Sequence, residues 1–159
     1  MNRAANVLRY PSEHALELGH KVVLVGGCFD VLHYGHLQFL KAAKNEGDTL
    51  IVALESDEFI RERKHRKPVH SHEQRAEMLA SLDSVDSVLL LPYLTTDAEY
   101  AKLVKTVAPA VIAVTEGDSQ IAHKKEYARA VGARLAIVTP IVQDLSTTNI
   151  LNYQSKSSS

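Results

Sequence analysis

At 159 residues, 45% apolar and 23% charged, the chain has the make-up of one globular domain with its own core, which sets aside disordered and fibrous classes. A net charge of −1 argues against nucleic-acid binding by bulk electrostatics, and no apolar run approaches the ~20 residues that span a bilayer, so membrane insertion is not expected. The single cysteine, Cys28, excludes an internal disulfide framework and a Cys-rich zinc site; with no signal-peptide pattern at the start, a cytoplasmic protein is expected.

Residues 1–20 read as an N-terminal extension with a short helix from about Glu13 to Leu18. Lys21 to Val25 is a continuous β-branched run that meets Gly26-Gly27, the pattern of a buried strand entering a tight loop. Leu37, Phe39, Leu40, Ala42 and Ala43 then follow helical spacing up to Gly47. Buried-type strands are expected at Thr49 to Leu54, Val85 to Leu91, Ala110 to Thr115 and Arg134 to Thr139. Helical patterns separate the later ones: Ser71 to Leu82, opened by a Ser71–Gln74 capping box, Asp97 to Val107, and Ser119 to Val131. Five strands alternating with helices predict an α/β, Rossmann-like, doubly wound domain over residues 21–153 with a mainly parallel five-stranded sheet. Residues 154–159 are too polar to pack and read as a disordered tail.

In such sheets ligands bind beyond the carboxyl ends of the strands. The segment Gly26 to His36 lies there, and it is neither a P-loop nor a Gly-x-Gly-x-x-Gly fingerprint. His33 and His36, three residues apart at a helix start, project to one side and can donate to phosphate oxygens. Isolated, such a pair is commonly a cap or a solvated surface feature; after a buried strand and a glycine turn, a phosphate site is the better reading.

Gly27-Cys28-Phe29-Asp30 followed by His33-Tyr34-Gly35-His36 resembles the signature of the cytidylyltransferase-like nucleotidyltransferase superfamily, and the likeness runs from Lys21 to Asn152. The resemblance implies transfer of CMP or AMP from CTP or ATP to a phosphorylated small molecule, of glycerol 3-phosphate or sugar phosphate type, with release of pyrophosphate. It implies Mg2+ held through the NTP phosphates, with no metal site of the protein's own, and a homodimer. His33, His36, Lys44 and Arg75 match catalytic positions of the family, and Gly27, Cys28, Phe29, Asp30 and Gly35 match its nucleotide loop. Gly117-Asp118 matches a nucleotide-contacting turn, with Glu116 a departure from the usual glycine or aspartate. Ser146-Thr147-Thr148 matches an element at a helix start that touches the triphosphate. Arg63 and Lys64, in the basic stretch Arg61 to Lys67, match a phosphate clamp; a plain solvated loop is the other reading of that stretch.

Other readings compete at single residues. Cys28 suits packing in a turn better than nucleophilic catalysis, since no Cys-His-Asn order accompanies it. Asp30 reads as a metal ligand or, the commoner use, as a carboxylate fixing its own loop. Asp118 reads equally as a helix N-cap. Cys28, His33, His36, His70 and His72 suggest zinc, but in no standard spacing. Lys67 to Arg75 and Ser56-Asp57-Glu58-Phe59 are similar to glycerol-3-phosphate cytidylyltransferases. Those enzymes usually place an Arg-Thr-x-Gly element before Ser-Thr-Thr, where this chain has Ile141-Val142-Gln143-Asp144-Leu145, and the Ser-Thr-Thr-Asn-Ile ending resembles the heptose-phosphate adenylyltransferases. A catalytically silent nucleotide-binding module is the alternative from a different class.

Overall fold

A computed structural model describes residues 5–12 and 19–139. The expected helix at 13–18, the Ser146-Thr147-Thr148 element, Gln143-Asp144 and the tail lie outside the described residues. Six parallel strands form the sheet: β1 (Asn6–Arg9), β2 (Val22–Gly27), β3 (Thr49–Leu54), β4 (Ser87–Leu90), β5 (Val111–Thr115) and β6 (Arg134–Thr139). Among the described residues five helices connect them: α1 (Tyr34–Lys44), α2 (Asp57–Lys64), α3 (His72–Ala80), α4 (Asp97–Val107) and α5 (Ile121–Val131). The α/β doubly wound class is as expected, but the strand count is corrected from five to six.

The added strand is β1, which pairs with β4 at the sheet edge, Val7 opposite Val88. Its four residues are mostly exposed, so it carries no buried run for a sequence pattern to detect. The other difference is α2, where the charged stretch from Arg61 belongs largely to a helix rather than a loop. That helix buries Ile60 alone, so its apolar stripe is too thin to show. Its charges did carry the signal, with Asp57 and Glu58 in the first turn and Arg61, Arg63 and Lys64 in the last, matching the helix dipole.

The strand order is β1-β4-β3-β2-β5-β6. From β2 the chain winds one way through β3 and β4, then returns to β5 on the other side of β2. The switch point therefore lies between β2 and β5, where the carboxyl ends of the strands leave a crevice. Alternation along the strands supplies both cores. Val23, Val25, Leu50, Val52 and Val88 face α1 and α3, against Phe39, Leu40, Ala43, Ala76 and Leu79. Val22, Leu24, Ile51, Leu89 and Ile112 face α4 and α5, against Leu103, Val104, Val107 and Ala128. Among the described residues, no helix is long and apolar enough to cross a membrane.

Candidate active site

The turn after β2 is built by steric necessity. A Cβ on Gly27 would stand 2.9 Å from the Phe29 ring, so the Gly27–Phe29 approach requires glycine. Phe29 is buried and holds φ at 45°, a left-handed conformation that costs a non-glycine residue roughly 1–2 kcal/mol. Its ring meets the His36 ring edge-on, with centroids 5.0 Å apart and an interplanar angle of 61°.

His33 is the N-cap of α1, and its Nδ1 accepts the His36 backbone N–H at 3.4 Å. That bond assigns the lone pair to Nδ1 and leaves the proton of the neutral ring on Nε2. The His33 and His36 rings stack 3.8 Å apart at 20°. Burial lowers the His33 pKa. Burial, then the neighbouring His33, pushes His36 down to about 4 against a weaker opposing bond from the Val31 backbone. Both rings are therefore neutral near pH 7 in the free protein. No acidic residue occupies the first turn of α1, so the partial positive charge of its N-terminus is not offset.

Asp30 fixes a loop, but not its own. Its buried carboxylate accepts the Val69 and His70 N–H groups at 3.0–3.1 Å and pairs with the Arg66 guanidinium. Burial would raise its pKa, but the Arg66 and backbone donors outweigh that and hold it below the ordinary carboxylate value. Both carboxylate oxygens are thereby taken. The same bonds draw the segment that follows α2 against the histidine turn, with His65 ending that helix at a left-handed φ of 54°.

Arg75 is 0% exposed. Its Nε donates to His70 O, its Nη1 to both Cys28 O and Glu55 O, and its Nη2 to the Asp57 carboxylate. Four of its N–H groups are spent inside the protein, tying the β2 turn to the end of β3. Cys28 carries a thiol that burial pushes up to about 11, the behaviour of a packed side chain.

Glu55, directly after β3, was not foreseen. It is 8% exposed; its N–H donates to Gly27 O at 3.0 Å, and its Oε1 accepts the Tyr100 hydroxyl at 2.8 Å. Burial lifts its pKa to about 7 against the opposing pull of Tyr100, Lys124, Arg75 and Arg63. A charged residue at the end of an apolar strand, on the ligand-binding edge, was the available signal. Arg66 was also missed within the basic stretch, where sequence favoured Arg63 and Lys64.

Four buried side-chain polar atoms among the described residues lack a hydrogen-bond partner: His33 Nε2, His36 Nδ1, Glu55 Oε2 and Arg66 Nε. All four belong to residues in or bonded to the 26–36 turn. Buried polar atoms are nearly always paired, so such a concentration makes this turn the candidate ligand site.

Other expected site residues stand apart. Lys44 closes α1, about 15 Å along the axis from Tyr34 at the rise of a helix, and donates to Asp48 O and Asp86 at the amino ends of β3 and β4. The lysine expected at the phosphates therefore lies at the opposite edge of the sheet. Arg63 and Lys64 are exposed on the last turn of α2, with Arg63 Nη2 reaching Thr95 O. Gly117, at φ 75°, turns the chain beyond β5, across the switch point. Asp118 accepts from Gln120 N and pairs with Lys124; the N-cap of α5 is Gln120, not Asp118. His72 lies buried with its Nε2 on Leu54 O.

The Cytidylyltransferase-like family matches residues 24–153. The chain belongs to that family. It is 37% identical over 137 residues to the bifunctional protein HldE of Geobacter metallireducens, covering 84% of this chain and 27% of that protein. It is 48% identical over 92 residues to the FAD synthase of Thermococcus kodakarensis, covering 58% of this chain and 60% of that one. The chain thus spans about a quarter of the first relative and three-fifths of the second. A lipopolysaccharide core biosynthesis protein from Thermoplasma volcanium superposes with a TM-score of 0.62 at 27% identity, over 77% of this chain and 97% of its own. For a cytidylyltransferase-like domain a divalent cation is implied. Among the described residues no three His, Cys, Asp or Glu side chains gather to hold a metal, and both Asp30 oxygens are engaged by Arg66, Val69 and His70.

Proposed function

We propose that the protein is a nucleotidyltransferase that moves AMP or CMP from ATP or CTP to a phosphorylated small molecule and releases pyrophosphate. The observation that carries this reading is the set of unpartnered donors about the turn, His33 Nε2 and Arg66 Nε, with the His36 ring stacked on that of His33. An acceptor phosphate oxygen attacks the α-phosphorus in line, the bond from that phosphorus to the bridging oxygen breaks, and pyrophosphate leaves. The nucleophile is already ionised, so the protein needs no general base; its task is positioning and charge neutralisation. His33 donates from Nε2. His36, neutral in the free protein, takes a proton as phosphate charge arrives beside it and then donates from Nδ1. Arg75 acts as a positioning residue, since its donors hold the Cys28 and Glu55 carbonyls. Mg2+ travels with the triphosphate. Gly117-Asp118, Arg63, Lys64 and Ser146-Thr147-Thr148 are the remaining candidate nucleotide contacts.

ATP is the favoured donor. FAD is a dinucleotide whose adenylate is joined through a pyrophosphate, so the relative named FAD synthase forms the kind of bond proposed here. Glycerol 3-phosphate, sugar phosphates and FMN are the acceptors to test with ATP and CTP, reading pyrophosphate. Release with one pair, above the rate without acceptor, is the expected result. Calorimetric binding of ATP and CTP with no release from any pair would instead establish the silent nucleotide-binding module.

A further inference from the structure

Three of the four unpartnered atoms suit a phosphate, but the fourth does not. Glu55 Oε2 belongs to a carboxyl, which a phosphate repels when ionised and which needs a donor from its ligand. Its position is well defined. The Glu55 N–H is bonded to Gly27 O, and one Arg75 nitrogen joins the Glu55 and Cys28 carbonyls. Tyr100 of α4 holds Oε1 and so leaves Oε2 as the oxygen with nothing to bind. The carboxyl therefore sits beside the turn that carries the histidines, toward the α4 and α5 side of the sheet.

The charged groups around it narrow the ligand further. Lys124 of α5, Arg75 of α3 and Arg63 of α2 all act on Glu55, as do the Tyr100 hydroxyl and the Cys28 thiol. Arg75 and Lys124 are already paired with Asp57 and Asp118, which leaves Arg63 as the charge set against an incoming ammonium, whereas a neutral hydroxyl meets no such repulsion. A buried acceptor that discriminates by a hydrogen bond rejects an analogue lacking the donor, because its own atom is then left unpaired.

We infer that Glu55 is the residue that selects the acceptor, its Oε2 receiving a hydrogen bond from a hydroxyl on the carbon skeleton of the phosphorylated substrate. This rests on the transferase reading above and deepens it. Hydroxylated phosphate monoesters are accepted, and their deoxy counterparts are turned away. The raised pKa adds a signature: the ionised carboxyl is the better acceptor, so hydroxylated substrates bind less well as pH falls below about 7.

The test uses the full chain with ATP and two matched pairs, glycerol 3-phosphate against n-propyl phosphate and glucose 1-phosphate against cyclohexyl phosphate. The parent is expected to favour the hydroxylated member of the pair it uses by about tenfold or more in kcat/KM. Glu55→Met, which presents no hydrogen-bonding atom to the hydroxyl, is expected to abolish that preference through a rise in acceptor KM of about tenfold, with the KM for ATP within about twofold. The rise of acceptor KM at low pH should vanish with it. If Glu55→Met does not fold, Tyr100→Phe, which frees Oε1 and lets the carboxyl turn away, should weaken the same preference. Calorimetry of the matched pairs without nucleotide reads the preference independently of turnover. A preference and pH profile unchanged in the variant overturn the role of Glu55 while pyrophosphate release still upholds the transferase. No release with ATP or CTP from these pairs or from the wider set of sugar phosphates and FMN overturns the transferase, and the calorimetric preference then decides on Glu55 alone.

Discussion

Replacing Arg75 by Met separates a positioning arginine from one that binds phosphate. The substitution keeps much of the side-chain volume but removes four hydrogen bonds, stranding the His70, Cys28 and Glu55 carbonyls and the Asp57 carboxylate. A buried acceptor left unpaired costs about 1–3 kcal/mol. Asp57 is 29% exposed and recovers part of its loss from water. Taking each carbonyl near the low end gives a destabilisation of about 3–5 kcal/mol, the range for breaking a buried charged network from one side. For a chain of this size each kcal/mol moves Tm by roughly 2–4 °C, so a fall of roughly 6–20 °C is expected. Arg75→Lys keeps the charge but lacks the planar fork that reaches four acceptors, and it should recover only part of that loss. Scanning calorimetry with pyrophosphate release measured well below each Tm makes the test. A Tm within about 2 °C of the parent, with turnover lost and restored in part by Lys, would refute the reasoning and make Arg75 a phosphate ligand.

His36→Ala is expected to lower kcat by about a hundredfold with Tm little changed, because it removes a donor to transition-state charge; an unchanged kcat would remove His36 from the mechanism. Lys44→Met should cost at most about 1 kcal/mol, given its partly exposed pair with Asp86, and leave kcat and both KM values within about twofold; a large loss of turnover would put that lysine back at the phosphates. Glu55 also links stability to pH. Its folded pKa of about 7 lies above the ordinary 4.5, so the folded state binds the extra proton between those values. Stability falls as pH rises through that window, by up to about 3 kcal/mol above pH 7. The Tm of Glu55→Gln relative to the parent should therefore climb from pH 5 to pH 8; a flat difference would show that Glu55 titrates as it does in water.

The sequence alone carried the fold class and pointed to the turn after β2 as the candidate site. Runs such as residues 50–54 and 111–114, buried on both faces, are legible because every residue in them is apolar, and parallel order follows from the helices between them. Gly27, Phe29, His33 and His36 were legible because turn chemistry and side-chain spacing are local properties. Strand β1 and helix α2 were not, because one lies exposed at an edge and the other buries a single side chain. Roles that depend on distance through space were decided by tertiary structure alone. Lys44 and Arg75 are both basic residues that follow the motif, yet the length of α1 carries one to the amino ends of the strands, and burial consumes the donors of the other. Arg66 and Glu55 gained their significance the opposite way, drawn against the turn by Asp30 and Gly27 from 36 and 28 residues along the chain. Local chemistry can be read from neighbouring residues, whereas the unpaired state of a buried atom exists only once the whole chain has closed around it.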